Sequence, residues 1–348
     1  MPSVFLDPAW APAEDSSTLF SEKTWLIGVI LTGVGYGVVL TLTVMCITTL
    51  IHVLKSPRRG GERQNRKVHL ISLIYVILVF VFATMFIAGS SAMADLSFIS
   101  YRNFPGGPAA FEQVMFSLPV SEIGNVAFVL SNWLADVVVV WRCLVVYKGT
   151  SVPWWAICAI PCLTYLTSWV LGLLWLIQVS APASSPWVSS TINFTQPYFW
   201  TSFALNVSMT AAIVIRLLVY RHRIGKIMGQ KYGRQYTSIA SMIIESSLLY
   251  TGFQLLFIVP FGLNSPVQTL FLQPLSQVQI IAPLLIIFRV SSGRAWTMDT
   301  STEIFKKTNS RAETIELGQK QSGLSQGMAF AKPEDLSANA TQSTFVVA

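Results

Sequence analysis

Residues 129–148 read VLSNWLADVVVVWRCLVVYK, an almost continuous apolar run that contains Asp136 and, six positions later, Arg142. A helix of about 20 largely apolar residues is what crosses the hydrocarbon core of a bilayer. With this run, the chain holds seven such stretches, which predict an all-α fold built as an integral membrane bundle of seven transmembrane helices. The predicted spans are 25–54, 68–93, 122–147, 154–178, 200–220, 239–261 and 267–289.

The composition of the whole chain also indicates a membrane protein. Of its 348 residues, 53% are hydrophobic and only 11% are charged, whereas soluble domains carry about 25% charged residues. The connections between the predicted spans are short and polar, which leaves little chain for a soluble domain. We therefore predict an extracellular tail at 1–24, one seven-helix transmembrane domain at 25–290 and a cytoplasmic tail at 291–348.

Lysine and arginine predict which side of the membrane each loop faces, because short loops rich in these residues stay in the cytoplasm. They concentrate in 55–67, in 221–234 and in the C-terminal tail, whereas the opposite side holds only Lys23 and Arg102. This pattern predicts an N-terminus outside and a C-terminus in the cytoplasm, in a multi-pass protein of the plasma membrane. The C-terminal tail is expected to begin with a short interfacial helix and to continue as a disordered segment.

Charge and sequons indicate partners and one modification. The net charge of +7 lies mainly on the predicted inner side and favours anionic lipid or an acidic cytosolic signalling protein. Nothing beyond this charge supports nucleic-acid binding. Asn193 begins a sequon in the predicted outer loop between spans four and five, so glycosylation is expected there. The sequons at Asn206 and Asn339 fall in a span and in the inner tail, and they should stay unmodified.

The third predicted span carries one polar stripe. Asn125, Asn132 and Asp136 are offset by seven and eleven positions, which places them within about 40° of one another on a helix. A carboxylate at the bilayer centre costs about 2.5–3.5 kcal/mol even on insertion scales, so the stripe is expected to face the protein interior or a watery cavity. A ligand or ion pocket and a structural contact between helices both fit this pattern.

Polar residues of two other spans extend the candidate pocket. Gln273 and Gln277 lie four positions apart in the seventh span, near its outer end, and share one helix face. The fifth span contributes one asparagine. Together with the stripe these residues predict a ligand pocket that opens outward, formed by Asn125, Asn132, Asp136, Asn206, Gln273 and Gln277.

Arg142 is expected to pair with an acid on another span. It lies about 120° around the helix from Asp136, so the two do not share a face. Glu245, in the sixth span, lies at a similar height above the cytoplasmic side. We therefore predict an Arg142–Glu245 ion pair that joins spans three and six, either as a switch or as a permanent structural tie.

Small residues inside the spans have simpler interpretations. Gly33 and Gly37 have the GxxxG spacing of close helix packing, which predicts a contact within the chain, with dimerisation as the alternative. The four cysteines are interpreted as apolar filling, and none lies in a predicted outer loop where a disulfide would form: Cys46, Cys143, Cys158 and Cys162.

Several residue sets that would indicate an enzyme or a cofactor are missing from the sequence. The seventh span has no lysine for a retinal Schiff base, and the three histidines, His52, His69 and His222, lie at the cytoplasmic margins. They form no metal-binding pair, and no Ser-His-Asp set is found inside the spans. We therefore predict no enzymatic activity, no cofactor and no metal site. The spans also lack the repeated half that is typical of many transporters.

Several short motifs stand out in and after the spans: Leu134-Ala135-Asp136, Trp141-Arg142-Cys143, Arg216-Leu217-Leu218, Glu245-Ser246 with Tyr250, Ala282-Pro283-Leu284-Leu285-Ile286, Arg289-Val290 and Gly293-Arg294-Ala295-Trp296. These motifs resemble those of a group of seven-helix membrane proteins of mushroom-forming (basidiomycete) fungi. The resemblance covers about residues 25–296, implies a seven-helix membrane fold and implies no particular activity.

The topology is also similar to that of G-protein-coupled receptors, although their sequence motifs are absent. Trp141, not an acid, precedes Arg142, and span seven has no Asn-Pro-x-x-Tyr. Three functions remain as hypotheses. The first is a receptor-like protein that binds an unknown small ligand from outside and couples to a cytosolic partner. The second is a transporter or lipid-handling protein that uses Asp136 as a proton or substrate site, and the third and weakest is a membrane-embedded enzyme.

Overall fold

A computed structural model describes residues 14–55, 63–147, 154–182, 184–187, 193–228 and 230–291. Within these ranges the chain forms eight α-helices, and a π-helical turn, Leu96–Ser100, follows the second. The helices are α1 Ser16–Lys55, α2 Arg63–Asp95, α3 Gly107–Val114, α4 Pro119–Tyr147, α5 Trp154–Ser180, α6 Thr195–Met228, α7 Gln230–Gly262 and α8 Val267–Ser291.

Seven helices in the described part of the chain are long and apolar enough to cross a membrane, and they correspond to the seven predicted spans. The short helix α3 is the exception and was not predicted. Helix α1 begins at Ser16 rather than near residue 25, so most of the predicted N-terminal tail that the structure describes is helical. The C-terminal tail with its predicted interfacial helix, and the sequon at Asn339, lie outside the described residues.

The seven long helices form a closed ring in chain order. Each packs against the next, from α1 to α2, then α4 to α8, and α8 returns to α1. Helices α4 and α8 also contact each other across the ring. In the most apolar 18-residue stretch of each helix, 61% of α4 and 67% of α8 is buried, whereas only 17% of α2 is. These two helices therefore form the interior of the bundle.

The outer surface of the ring is apolar. Large hydrophobic side chains are exposed on several helices, among them Val34 on α1, Ile71 on α2, Leu163 and Ile177 on α5, and Leu248 on α7. Soluble monomers seldom expose a continuous apolar surface of this kind, whereas lipid chains can cover it. The outer surface thus supports the interpretation as a multi-pass membrane protein.

Local sequence signals explain where several helices begin and end. The Asp15 carboxylate accepts a hydrogen bond from the backbone N–H of Ser17 at 3.3 Å, which caps α1. Pro119 is the first residue of α4, where a missing N–H costs nothing. After α7, Asn264 adopts a left-handed conformation with φ of 50°, and this turn leads into α8.

Glycines set the closest approaches between helices, but they are not the predicted pair. A methyl group added at Gly89 of α2 would lie 2.8 Å from the Val120 carbonyl oxygen of α4. One at Gly28 of α1 would lie 2.9 Å from the Thr269 carbonyl oxygen of α8. A methyl group added at Gly33 or Gly37 would meet no described atom of another helix within 4 Å, so the predicted intramolecular packing at these two residues is wrong.

Candidate functional site

A cavity of about 50 Å³ opens at the end of the bundle where α1, α4, α6 and α8 begin, which we call the N-terminal face. A site for one water needs about 10–15 Å³, so this cavity has room for several waters or a small ligand group. Five of its wall residues are aromatic: Trp25, Phe86, Phe116, Phe128 and Trp175. Its polar wall residues are Ser90, Glu112, Ser121, Asn125 and Gln273.

Two of the six predicted pocket residues line this cavity. Gln273 accepts a hydrogen bond from the Ser90 hydroxyl at 3.1 Å, which joins α8 to α2 beside the cavity. The Asn125 amide donates to the Glu122 carboxylate one turn earlier on α4, at 3.4 Å. Asn125 is 6% exposed and faces the interior, as the polar stripe predicts.

Glu112 is a cavity residue that the sequence analysis missed. It lies on α3, and its side chain is 1% exposed. One carboxyl oxygen accepts a hydrogen bond of 2.8 Å from the Ser97 hydroxyl. Burial is the main cause that raises the pKa of Glu112 to about 8. The Gly-Gly-Pro sequence at residues 106–108, which starts α3, was the available signal for a helix in this loop.

Beneath the cavity lies a buried hydrogen-bond network that joins α4, α6 and α7. The Asn132 amide nitrogen of α4 lies 3.1 Å from the Tyr198 hydroxyl and 3.4 Å from the Ser202 hydroxyl, both on α6. The Tyr250 hydroxyl of α7 donates to the Asn132 carbonyl oxygen at 3.0 Å and lies 3.1 Å from Ser202. We call Asn132, Tyr198, Ser202 and Tyr250 the central network.

Aromatic contacts connect the cavity to the central network. Trp175 forms part of the cavity wall and stacks on Tyr198 with ring centroids 5.9 Å apart. Phe128, also in the wall, lies 5.9 Å from Phe199, which in turn packs on Phe257 at 4.6 Å. The floor of the cavity is therefore a packed aromatic layer, and the layer touches the network directly.

Asp136 lies one turn below Asn132 on α4. Its side chain is 2% exposed, and its one hydrogen bond within the described residues comes from Asn132 at 3.5 Å. This distance is at the limit for a hydrogen bond. The stripe prediction is confirmed to the extent that Asn132 and Asp136 both face the protein interior.

The other two predicted pocket residues lie elsewhere. Asn206 is buried on α6 and accepts a hydrogen bond from Thr210 at 3.4 Å. Gln277 donates to the Ala83 carbonyl oxygen at 3.5 Å and packs against Gly35. The six residues therefore do not form one pocket, because α8 closes against α1 and α2 one turn below Gln273.

The predicted Arg142–Glu245 ion pair is not formed in the structure. Glu245 is exposed, and the Arg142 Nε atom is buried without a hydrogen-bond partner among the described residues. Helix α7 turns Ser246 and Tyr250 toward the interior. At about 100° per residue this rotation points Glu245 away from α4.

The Asn193 side chain supports the start of α6. Its amide nitrogen, the atom that glycosylation modifies, donates to the Pro186 carbonyl oxygen at 2.9 Å. Its carbonyl oxygen accepts from the backbone N–H of Thr195, also at 2.9 Å. Glycosylation at this residue stays a prediction.

Comparisons with known proteins give no relative for this chain. No protein-family model matches it, and neither a curated protein nor a solved structure does so. Within the ranges that the structure describes, no group of three or more His, Cys, Asp or Glu residues is arranged to hold a metal ion.

Proposed function

We propose that the protein is a receptor-like integral membrane protein that binds a small ligand in the cavity of the N-terminal face. The observation that carries this proposal is the contact between the cavity wall and the central network. Trp175 belongs to the wall and stacks on Tyr198, which bonds to Asn132. A ligand that moves the wall therefore acts on hydrogen bonds shared by α4, α6 and α7.

The polar face of α6 continues the path toward the other end of the bundle. Tyr198, Ser202, Asn206 and Thr210 follow one another at four-residue spacing, so they lie on one face. The Thr210 hydroxyl lies 2.8 Å from the Ser247 hydroxyl of α7. The Asn132 amide nitrogen has both the Tyr198 and the Ser202 hydroxyl within reach. Such a group could exchange one partner for another, and an element with two arrangements is what signal transmission requires.

The orientation of the bundle is part of the same proposal. Basic residues concentrate in the loops at the end opposite the cavity, which favours an extracellular cavity and a cytoplasmic C-terminus. In this orientation the basic loops would contact an acidic cytosolic signalling protein and anionic lipid. The plasma membrane is the location that fits a ligand arriving from outside.

The proposal is tested with a fluorophore at the far end of α6. An environment-sensitive amino acid replaces the exposed Arg221, and purified protein in nanodiscs is screened against small molecules. A ligand that binds the cavity should change the fluorescence, and Asn132→Leu should abolish this change without abolishing binding. Thr201→Ala, on another face of α6, is the matched control. Cavity binding with no fluorescence change in any variant would contradict the proposal.

A transporter that uses Asp136 is the second candidate function. Asp136 is buried and has no charged partner among the residues described. Ionisable residues inside spans often mark a proton or substrate pathway. The aromatic layer above it closes the route from the cavity, so transport needs this layer to open. Flux into vesicles that is lost on Asp136→Asn, and retained in Asn132→Leu, would favour the transporter over the receptor.

A further inference from the structure

We propose that the cavity of the N-terminal face recognises a protonated amine on a compact apolar ligand, with Glu112 as its counter-ion. The inference rests on the proposed ligand-binding function and adds the chemical class of the ligand. Glu112 is the one acid among the residues that line the cavity, and the lining includes no lysine, arginine or histidine. The wall is otherwise aromatic, apolar or neutral.

The Glu112 carboxyl group has capacity for a further partner. Its side chain is 1% exposed, and its one hydrogen bond in the described ranges runs from Ser97 to one of its oxygens. A carboxylate has two oxygens and accepts several hydrogen bonds. A buried carboxyl that lines a cavity with so few partners is suited to bind a donor from the ligand.

The aromatic walls select a cation. Ring faces attract an ammonium group within about 6 Å of the ring centroid, and tryptophan does so most strongly. Trp25 and Trp175 stand in the wall together with Phe86, Phe116 and Phe128. An anion would meet the carboxyl group without a compensating cation, and a neutral apolar molecule would give it no donor beyond Ser97. A protonated amine can donate a hydrogen bond to the Glu112 carboxyl group and can also lie against an aromatic ring face.

The protonation state of Glu112 couples to binding. Burial raises the pKa of Glu112 to about 8, so the group is mostly neutral at pH 7. A cation beside it favours the charged form, so binding of an ammonium ion releases a proton to solvent. The other charged groups near the site are Glu14 and Glu22, which stand beside Gly107 at the start of α3, and Arg102, which is close to Glu22. On α4 the Glu122 carboxylate accepts a hydrogen bond from the cavity residue Asn125.

The test compares ethylamine with ethanol, two small probes of similar shape of which only the first is charged at neutral pH. Titration calorimetry on the full chain in nanodiscs measures both affinities. We expect ethylamine to bind at least about tenfold more tightly, the ratio that 1.4 kcal/mol gives. Glu112→Gln should remove this preference, so that the two probes bind with similar affinity. Glu14→Gln, which changes an exposed acid on the same face, should keep the preference.

Proton release is the second readout. Titrations at pH 7 in two buffers with different ionisation enthalpies should show a net release of protons on ethylamine binding, because a group of pKa about 8 is mostly protonated at pH 7. Ethanol should release none. Glu112→Asp, which keeps the acid, guards against a folding defect in Glu112→Gln and should retain proton release.

Three results would overturn the inference. They are equal affinity of the parent for the two probes, an unchanged preference for the amine in Glu112→Gln, and a loss of this preference in Glu14→Gln as large as that in Glu112→Gln. The two proposals also fail separately. Amine binding through Glu112 without any signal at the far end of α6 would contradict the receptor function alone. A neutral ligand that produces this signal, with no amine preference, would contradict the amine site alone.

Discussion

Gly89 holds α2 and α4 closer together than any residue with a side chain would allow. A methyl group built on it would lie 2.8 Å from the Val120 carbonyl oxygen and 3.4 Å from the Gly124 backbone nitrogen. The first distance is about 0.6 Å short of ordinary contact, and the atom that must move belongs to a helix backbone. Gly89→Ala is therefore expected to push α2 away from α4 beside the cavity.

The expected cost follows from two opposing effects. Overpacking a well-packed interior costs about 1–3 kcal/mol, and alanine in place of glycine in a helix returns up to about 1 kcal/mol. Because the clashing atom is a backbone oxygen, the overpacking cost should lie in the upper part of its range, at about 2–3 kcal/mol. The free energy of unfolding of Gly89→Ala should thus fall by about 1–2 kcal/mol. Gly33→Ala is the matched control. The added methyl group would meet no described atom of another helix within 4 Å, so this variant keeps only the favourable change in helix propensity.

Thermal unfolding of the purified protein in detergent measures the difference. The buried thiols of Cys46 and Cys143 report unfolding when they react with a thiol-specific fluorophore. Gly89→Ala should unfold at a lower temperature than the parent, and Gly33→Ala at the same or a higher temperature. If Gly89→Ala were as stable as Gly33→Ala, the close approach of α2 and α4 would be refuted.

Three further predictions concern the network, the cavity acid and the outer loop. Tyr250→Phe removes the hydroxyl contacts with Asn132 and Ser202. Because an interhelical hydrogen bond contributes about 0.6 kcal/mol, the free energy of unfolding of this variant should fall by about 1 kcal/mol. An unchanged melting temperature would show that these bonds contribute nothing. The pKa of Glu112 rises from its usual 4.5 to about 8 on folding, so its contribution to stability is fully present below pH 4.5 and is lost as the pH rises to 8. The loss is on the order of 5 kcal/mol. The melting temperature of the parent should fall as the pH rises across this range, and it should fall less in Glu112→Gln. An equal fall in the two proteins would exclude Glu112 as the cause. Asn193→Gln should abolish a glycosidase-sensitive shift in electrophoretic mobility when the chain is made in eukaryotic cells, and a parent without any shift would count against an extracellular outer loop.

The seven spans were predictable because hydropathy and length are local properties. Each apolar stretch must satisfy its own backbone groups as a helix, whatever its neighbours are. The burial of Asn132 and Asp136 was predictable for a related reason, since helical periodicity puts them on one face and lipid excludes polar groups from the other. Helix α3 escaped prediction because its eight residues are too few to span a membrane.

The tertiary structure decided which polar residues meet. Gln273 and Gln277 share a helix face, yet one lines the cavity while the other packs on Gly35, because neighbouring helices close at different depths. Glu245 points outward, and Glu112 enters the cavity from a helix outside the spans. The rotation of each helix depends on many weak contacts between residues far apart in the chain. The sequence therefore predicts which faces are buried, and only the packed bundle selects their partners.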